Sequence, residues 1–120
     1  MLRITSTLSV MKRVDEGTFE RDVVQRSWDR PVVVDFTARS CTPCHALAPI
    51  VEAAAGARAD VLDLVEVDVD ESPELARRYR IWGLPAVRAF RNGSVVARLT
   101  GGRSPRRIER FFDEVARTGA

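Results

Sequence analysis

The sequence predicts an α/β domain built on a central mixed β-sheet, with helices flanking it on both faces. Three observations carry that expectation. Val32-Val33-Val34-Asp35-Phe36 is a nearly unbroken β-branched run, the pattern of a strand buried on both sides. Helical patterns lie between the early strands and demand parallel crossover connections. Asn92-Gly93 separates two later apolar stretches and is a strong hairpin signal, so the last two strands are antiparallel.

Taken in order, Ser9 to Val14 reads as a short strand offering Val10 and Val14 to a core. Thr18 is placed to cap a helix running through Phe19, Val23 and Val24, with Arg26 near its end. Asp29-Arg30-Pro31 breaks the pattern before the Val32–Phe36 strand. Cys41 to Ala57 is the longest helical segment, carrying Leu47, Ile50, Val51 and Ala54 on one stripe and Gly56 near its end. Pro43 suits a first turn, where N–H groups lack intrahelical partners, whereas Pro49 lies inside the pattern and predicts a kink. Val61 to Asp70 alternates Val65, Val67 and Val69 against Glu66, Asp68 and Asp70, which predicts another strand. Ser72 or Pro73 starts a short helix through Leu75, Ala76 and Tyr79, and Ile81-Trp82-Gly83-Leu84-Pro85 reads as a loop. Val87–Phe90 and Val95–Leu99 form the hairpin. Gly101-Gly102 ends it, and Ser104 caps a final amphipathic helix with Ile108, Phe111, Phe112 and Val115 on its apolar face.

A chain of 120 residues supports one modest core. Apolar residues make up 45% and charged residues 30%, the balance of a globular protein, and a net charge of +2 gives no bulk attraction to nucleic acid or an anionic membrane. Arg103, Arg106, Arg107 and Arg110 fit a solvated helix face. No stretch approaches the ~20 apolar residues of a membrane span, and the opening MLRITSTLSVMKR lacks the roughly 7–15-residue apolar core of a secretory signal. Residues 1–9 are therefore read as an extension and the protein is expected in the cytoplasm. Nothing calls for an oligomer, so a monomer is expected.

The two cysteines, Cys41 and Cys44, are three residues apart and open the longest helix directly after the buried strand. There, free backbone N–H groups and the positive end of the helix dipole favour a thiolate at Cys41. Cys44 sits one turn deeper, within reach of a disulfide and of a mixed disulfide on Cys41. The division of labour is attack by Cys41 and release by Cys44. A zinc site wants four ligands, and the chain adds only His45 and carboxylates. An inert, buried cysteine pair is the other bland alternative. Asp35 is a carboxylate within a buried strand, where desolvation raises its pKa and suits it to proton transfer near neutrality. If Glu66 approaches it, their repulsion adds to that shift. His45, the only histidine, is either a solvated first-turn side chain or an imidazolium favouring the Cys41 thiolate. Trp82 is by default a core residue, with substrate contact as the alternative.

The segments VVVDFTARSCTPCHALAPIV and VDVDESPELARRYRIWGLPAVRAFRNGSVVARLTGG resemble the thioredoxin family, in order and over about residues 10 to 118. The resemblance implies the thioredoxin fold and reduction of protein disulfides through Cys41 and Cys44. It implies that Asp35 accepts a proton to activate Cys44 and that Pro85 is a cis-proline facing the cysteines. Leu84 would pair its backbone with an extended substrate, beside Trp82, with Gly83 and Gly101 keeping the docking surface flat. No cofactor or metal would be bound. NADPH would act indirectly, through a flavin-containing thioredoxin reductase, and the other partners would be disulfide-containing proteins. Ser40, Thr42 and His45 depart from the family pattern, where tryptophan, glycine and lysine are usual, and leave the redox potential open. Two other readings remain: an isomerase, oxidant or partner-dedicated redox protein, and a thioredoxin-fold binding subunit without redox turnover.

Overall fold

A computed structural model describes residues 11–119 of the chain. Among these residues, five strands form one sheet: β1 (Lys12–Arg13), β2 (Val32–Thr37), β3 (Asp63–Asp68), β4 (Ala86–Arg91) and β5 (Ser94–Thr100). Their order across the sheet is β1-β3-β2-β4-β5. β1 and β2 both run parallel to β3, while β4 is antiparallel to β2 and to β5, which makes the sheet mixed as expected. Of the first predicted strand, Ser9 and Val10 lie outside the described residues, as do the residues read as an extension.

Among the described residues, three α-helices flank the sheet: α1 (Thr42–Gly56), α2 (Pro73–Arg78) and α3 (Pro105–Arg117). The segment after Thr18 is not a regular α-helix but a π-helical stretch, Glu20–Gln25, followed by a 3-10 turn, Arg26–Trp28. Thr18 does not cap it. Asp15 ties off the entering turn instead, its Oδ1 accepting from the N–H groups of Gly17 (2.9 Å) and Thr18 (3.1 Å). A carboxylate accepts two such donors at once, and the Thr18 hydroxyl is left to accept from the Asp15 N–H at 3.1 Å. β3 stops sooner than the alternation suggested, because the buried Asp68 accepts from the Asp70 N–H at 2.8 Å and the Glu71 N–H at 3.2 Å. That side-chain turn competes successfully with the sheet ladder.

The pleat sends alternate residues into two cores. Val33, Val87, Ala89 and Leu99 face α1 and α3, meeting Leu47, Val51, Ile108 and Phe112. Val32, Val34, Phe36, Val65, Val67 and Phe90 face the opposite way, against Phe19, Val23 and Leu75. β2 is thus buried on both sides, which is why it reads as a continuous apolar run. The hairpin turns on Asn92 (φ 55°) and Gly93 (φ 84°), two left-handed residues whose twist matches the flanking strands. Ser104 caps α3 by accepting from the Arg107 N–H at 3.2 Å. Helix α1 continues unbroken through Pro49, which is exposed. Among the described residues, no helix is long and apolar enough to cross a membrane.

Candidate active site

β2, the central strand, delivers the chain to its C-terminal end at Thr37, and a tight turn follows in which the Cys41 N–H donates to the Ala38 carbonyl at 3.1 Å. Cys41 is extended (φ −87°, ψ 98°) and stands at the cap position of α1, with Pro43 in the first turn. Its sulfur accepts the Cys44 N–H at 3.2 Å, taking up a donor that the helix leaves without an internal partner. The two cysteines are joined as a disulfide, their Cα atoms 5.3 Å apart. Cys44 is buried under the helix while Cys41 is partly exposed. An incoming thiolate therefore reaches Cys41 first. In the reduced pair, the same N–H and the helix dipole favour the Cys41 thiolate.

Asp35 lies on the face of β2 that α1 covers, in register with Glu66 of β3 and Val87 of β4. It is 2% exposed, and its Oδ1 has no hydrogen-bond partner among the described residues. Burial, then the negative charges of Glu66 and Glu52, push its carboxyl up to about 7. A cavity of about 170 Å³ brings Asp35 and Cys44 together with Arg13, His45, Glu66 and Asp68. Sequence reasoning missed Arg13. It belongs to β1 and closes an ion pair with Glu66 at 2.6 Å across 53 residues of sequence. Only the parallel register Arg13↔Glu66 makes that pairing, and no local pattern announces it.

The loop before β4 carries the other residues that the resemblance singles out. The Leu84–Pro85 peptide is cis. The Pro85 carbonyl accepts from the Gly101 N–H at 2.8 Å, and Gly101 holds φ 74°, a conformation that disfavours any side chain. Gly83 is exposed, with no atom within 4 Å of the position a Cβ would take. Trp82 is not a core residue: it is 79% exposed. After α2, Arg80 (φ 55°) turns the chain so that Ile81 enters the core and Trp82 points away from it. Trp82, Leu84, Ile81 and Val69 line a shallow depression of about 320 Å³ beside the loop. Ser40, Thr42 and His45 are all exposed. Among the described residues, no three His, Cys, Asp or Glu side chains converge in a way that would hold a metal ion.

The chain matches the Thioredoxin family model over residues 10–114. It is 34% identical to a thioredoxin of Mycobacterium tuberculosis over 110 residues, covering 92% of this chain and 93% of that protein. A thioredoxin of Acidithiobacillus ferridurans is 37% identical over 100 residues, 83% of this chain and 91% of its own length. A bifunctional thioredoxin reductase/thioredoxin of Mycobacterium leprae is 33% identical over 102 residues, which are 85% of this chain and 22% of that longer protein.

Proposed function

The chain belongs to the thioredoxin family, and from that premise we propose how its residues share the work of a protein-disulfide reductase. It is a thioredoxin-type thiol–disulfide oxidoreductase with a redox-active C-x-x-C disulfide. The observation that carries the assignment of roles is the unequal exposure of two disulfide-bonded cysteines at one helix start.

In the reduced protein, the Cys41 thiolate attacks one sulfur of a substrate disulfide, and the other substrate sulfur leaves as a thiolate that takes a proton from water. The bond now joins Cys41 to the substrate. Cys44, still a thiol, gives its proton toward Asp35 and attacks the Cys41 sulfur. The Cys41–Cys44 bond forms, the second substrate sulfur leaves, and two electrons have passed from the dithiol to the substrate. Because Asp35 has an affinity for protons near neutrality, it can take the proton at physiological pH and later lose it to solvent.

The substrate lies as an extended segment along Leu84 and Pro85, with Gly83 and Gly101 offering no side chain to obstruct it and Trp82 giving apolar contact. Electrons move through sulfur alone, so no bound cofactor is needed. Two electrons and two protons return from a thioredoxin reductase, a flavin-containing enzyme drawing on NADPH. The relative whose name joins the two activities supports that partnership. The proposed setting is the cytoplasm, where a reduced dithiol is maintained. NADPH oxidation coupled to insulin-disulfide reduction, with a thioredoxin reductase present, tests the reading. Sustained turnover that Cys41→Ser abolishes is expected; absence of turnover by the wild-type chain contradicts it.

A further inference from the structure

Asp35 is surrounded by charge that its own strand does not carry. From β3 come Glu66, its direct register partner, and Asp68; from α1 come Cys44, His45 and Glu52; from the turn comes Arg39. β4 contributes only Val87 at that level. Glu66 is the negative charge that bears on Asp35 most strongly. Its Oε2 is gripped by Arg13 through two nitrogens, Nε at 3.0 Å and Nη2 at 2.6 Å. The other terminal nitrogen of Arg13, Nη1, lies 3.7 Å from Glu71, so the guanidinium is held from both sides. Of the two arginines lining the cavity, Arg13 is the one bonded to Asp35's neighbour.

We propose that Arg13 is a positioning residue for the release step: by anchoring Glu66, it fixes the pH at which Asp35 exchanges its proton. The proposal rests on the reading of Asp35 as the proton acceptor for Cys44. Both the location and the compensation of the Glu66 charge are set from β1, the shortest strand of the sheet. Without the guanidinium, the Glu66 carboxylate loses its counter-charge and is free to swing toward the buried carboxyl. Asp35 then holds its proton to higher pH. Glu71 touches the same guanidinium but is not a register neighbour of Asp35, so neutralising it leaves Asp35 largely unchanged.

Carbon-13 NMR of the Asp35 carboxyl through a pH titration reads this directly in the full chain, alongside the pH profile of mixed-disulfide release. Arg13→Gln is expected to move the Asp35 midpoint upward by about half a pH unit, the size of a partly screened neighbouring charge. Arg13→Lys restores most of it, Glu66→Gln moves it downward, and Glu71→Gln moves it little. In a Glu66→Gln background, Arg13→Gln has a much smaller effect. No movement of the midpoint with Arg13→Gln, or an equal movement with and without Glu66, overturns the proposal. If the Asp35 midpoint moves as expected while the release profile stays where it was, Arg13 still governs Asp35's titration. What fails then is the assignment of Asp35 to Cys44, and with it the claim that Arg13 acts on release.

Discussion

The carboxyl of Asp35 is kept from water by α1 above it and by the strands on either side, and its Oδ1 finds no hydrogen-bond partner among the described residues. Burial of such a group favours its protonated form. Folding therefore raises its pKa from 3.8 to about 7, and the folded state binds more protons than the unfolded one between those values. Stability falls as pH rises through that window, so replacing the acid removes a penalty that grows from about pH 4 and is complete above about pH 7. Asp35→Asn is expected to stabilise the protein by up to about 4 kcal/mol at pH 8, since each tenfold rise in proton affinity is worth about 1.4 kcal/mol. Near pH 4 the same substitution should change stability by almost nothing. Urea denaturation at the two pH values checks this, and equal effects at both would refute it. Asp35→Asn should also slow release of substrate and remove its rise as pH passes about 7. Asp35 was legible because a carboxylate in VVVDF violates the rule for buried strands. Arg13 was not, since its partner is chosen by strand register. Trp82 reversed the default for tryptophan, and its exposure gives Trp82→Ala a clear expectation. Stability should change by less than about 0.5 kcal/mol, while KM for protein substrates rises several-fold, measured by insulin reduction.

At the scale of elements, the order of strands and helices follows from periodicity, because strands buried on both sides and amphipathic helices leave distinct patterns. Element ends are decided by single hydrogen bonds that periodicity does not register. Asp68 ends β3 by accepting two backbone N–H groups, and Asp15 rather than Thr18 organises the turn into the first helical segment. Ends with clear local chemistry were legible. Ser104 accepts from the Arg107 N–H as its position before α3 suggests, and Ser104→Ala should cost about 1 kcal/mol in urea denaturation. Gly93 is a sharper case. It is left-handed, and a Cβ there would lie 3.1 Å from the indole nitrogen of Trp28. Gly93→Ala should therefore destabilise the hairpin by about 1–2 kcal/mol. A melting temperature equal to that of the wild type would count against this account of the turn.

For the whole molecule, the mixed sheet brings together stretches of sequence that lie far apart in the chain. β2 brings Asp35 and then the turn to Cys41; the loop into β4 brings Leu84 and Pro85; the end of β5 brings Gly101 back to the Pro85 carbonyl. The resemblance of the sequence to its family anticipated the fold, whereas composition alone reached no further than a globular domain. The lower exposure of Cys44 than of Cys41, which sets attack apart from release, was legible from its place one turn deeper in the helix. Trapping measures that division most directly. Cys44→Ser and Cys41→Ser variants are each mixed with a disulfide-bonded protein substrate, quenched, and analysed by intact-mass spectrometry. The account predicts a mixed disulfide that accumulates on Cys41 in the Cys44→Ser variant and does not form in Cys41→Ser. Accumulation on Cys44 in the Cys41→Ser variant, with none on Cys41 in its counterpart, would contradict it.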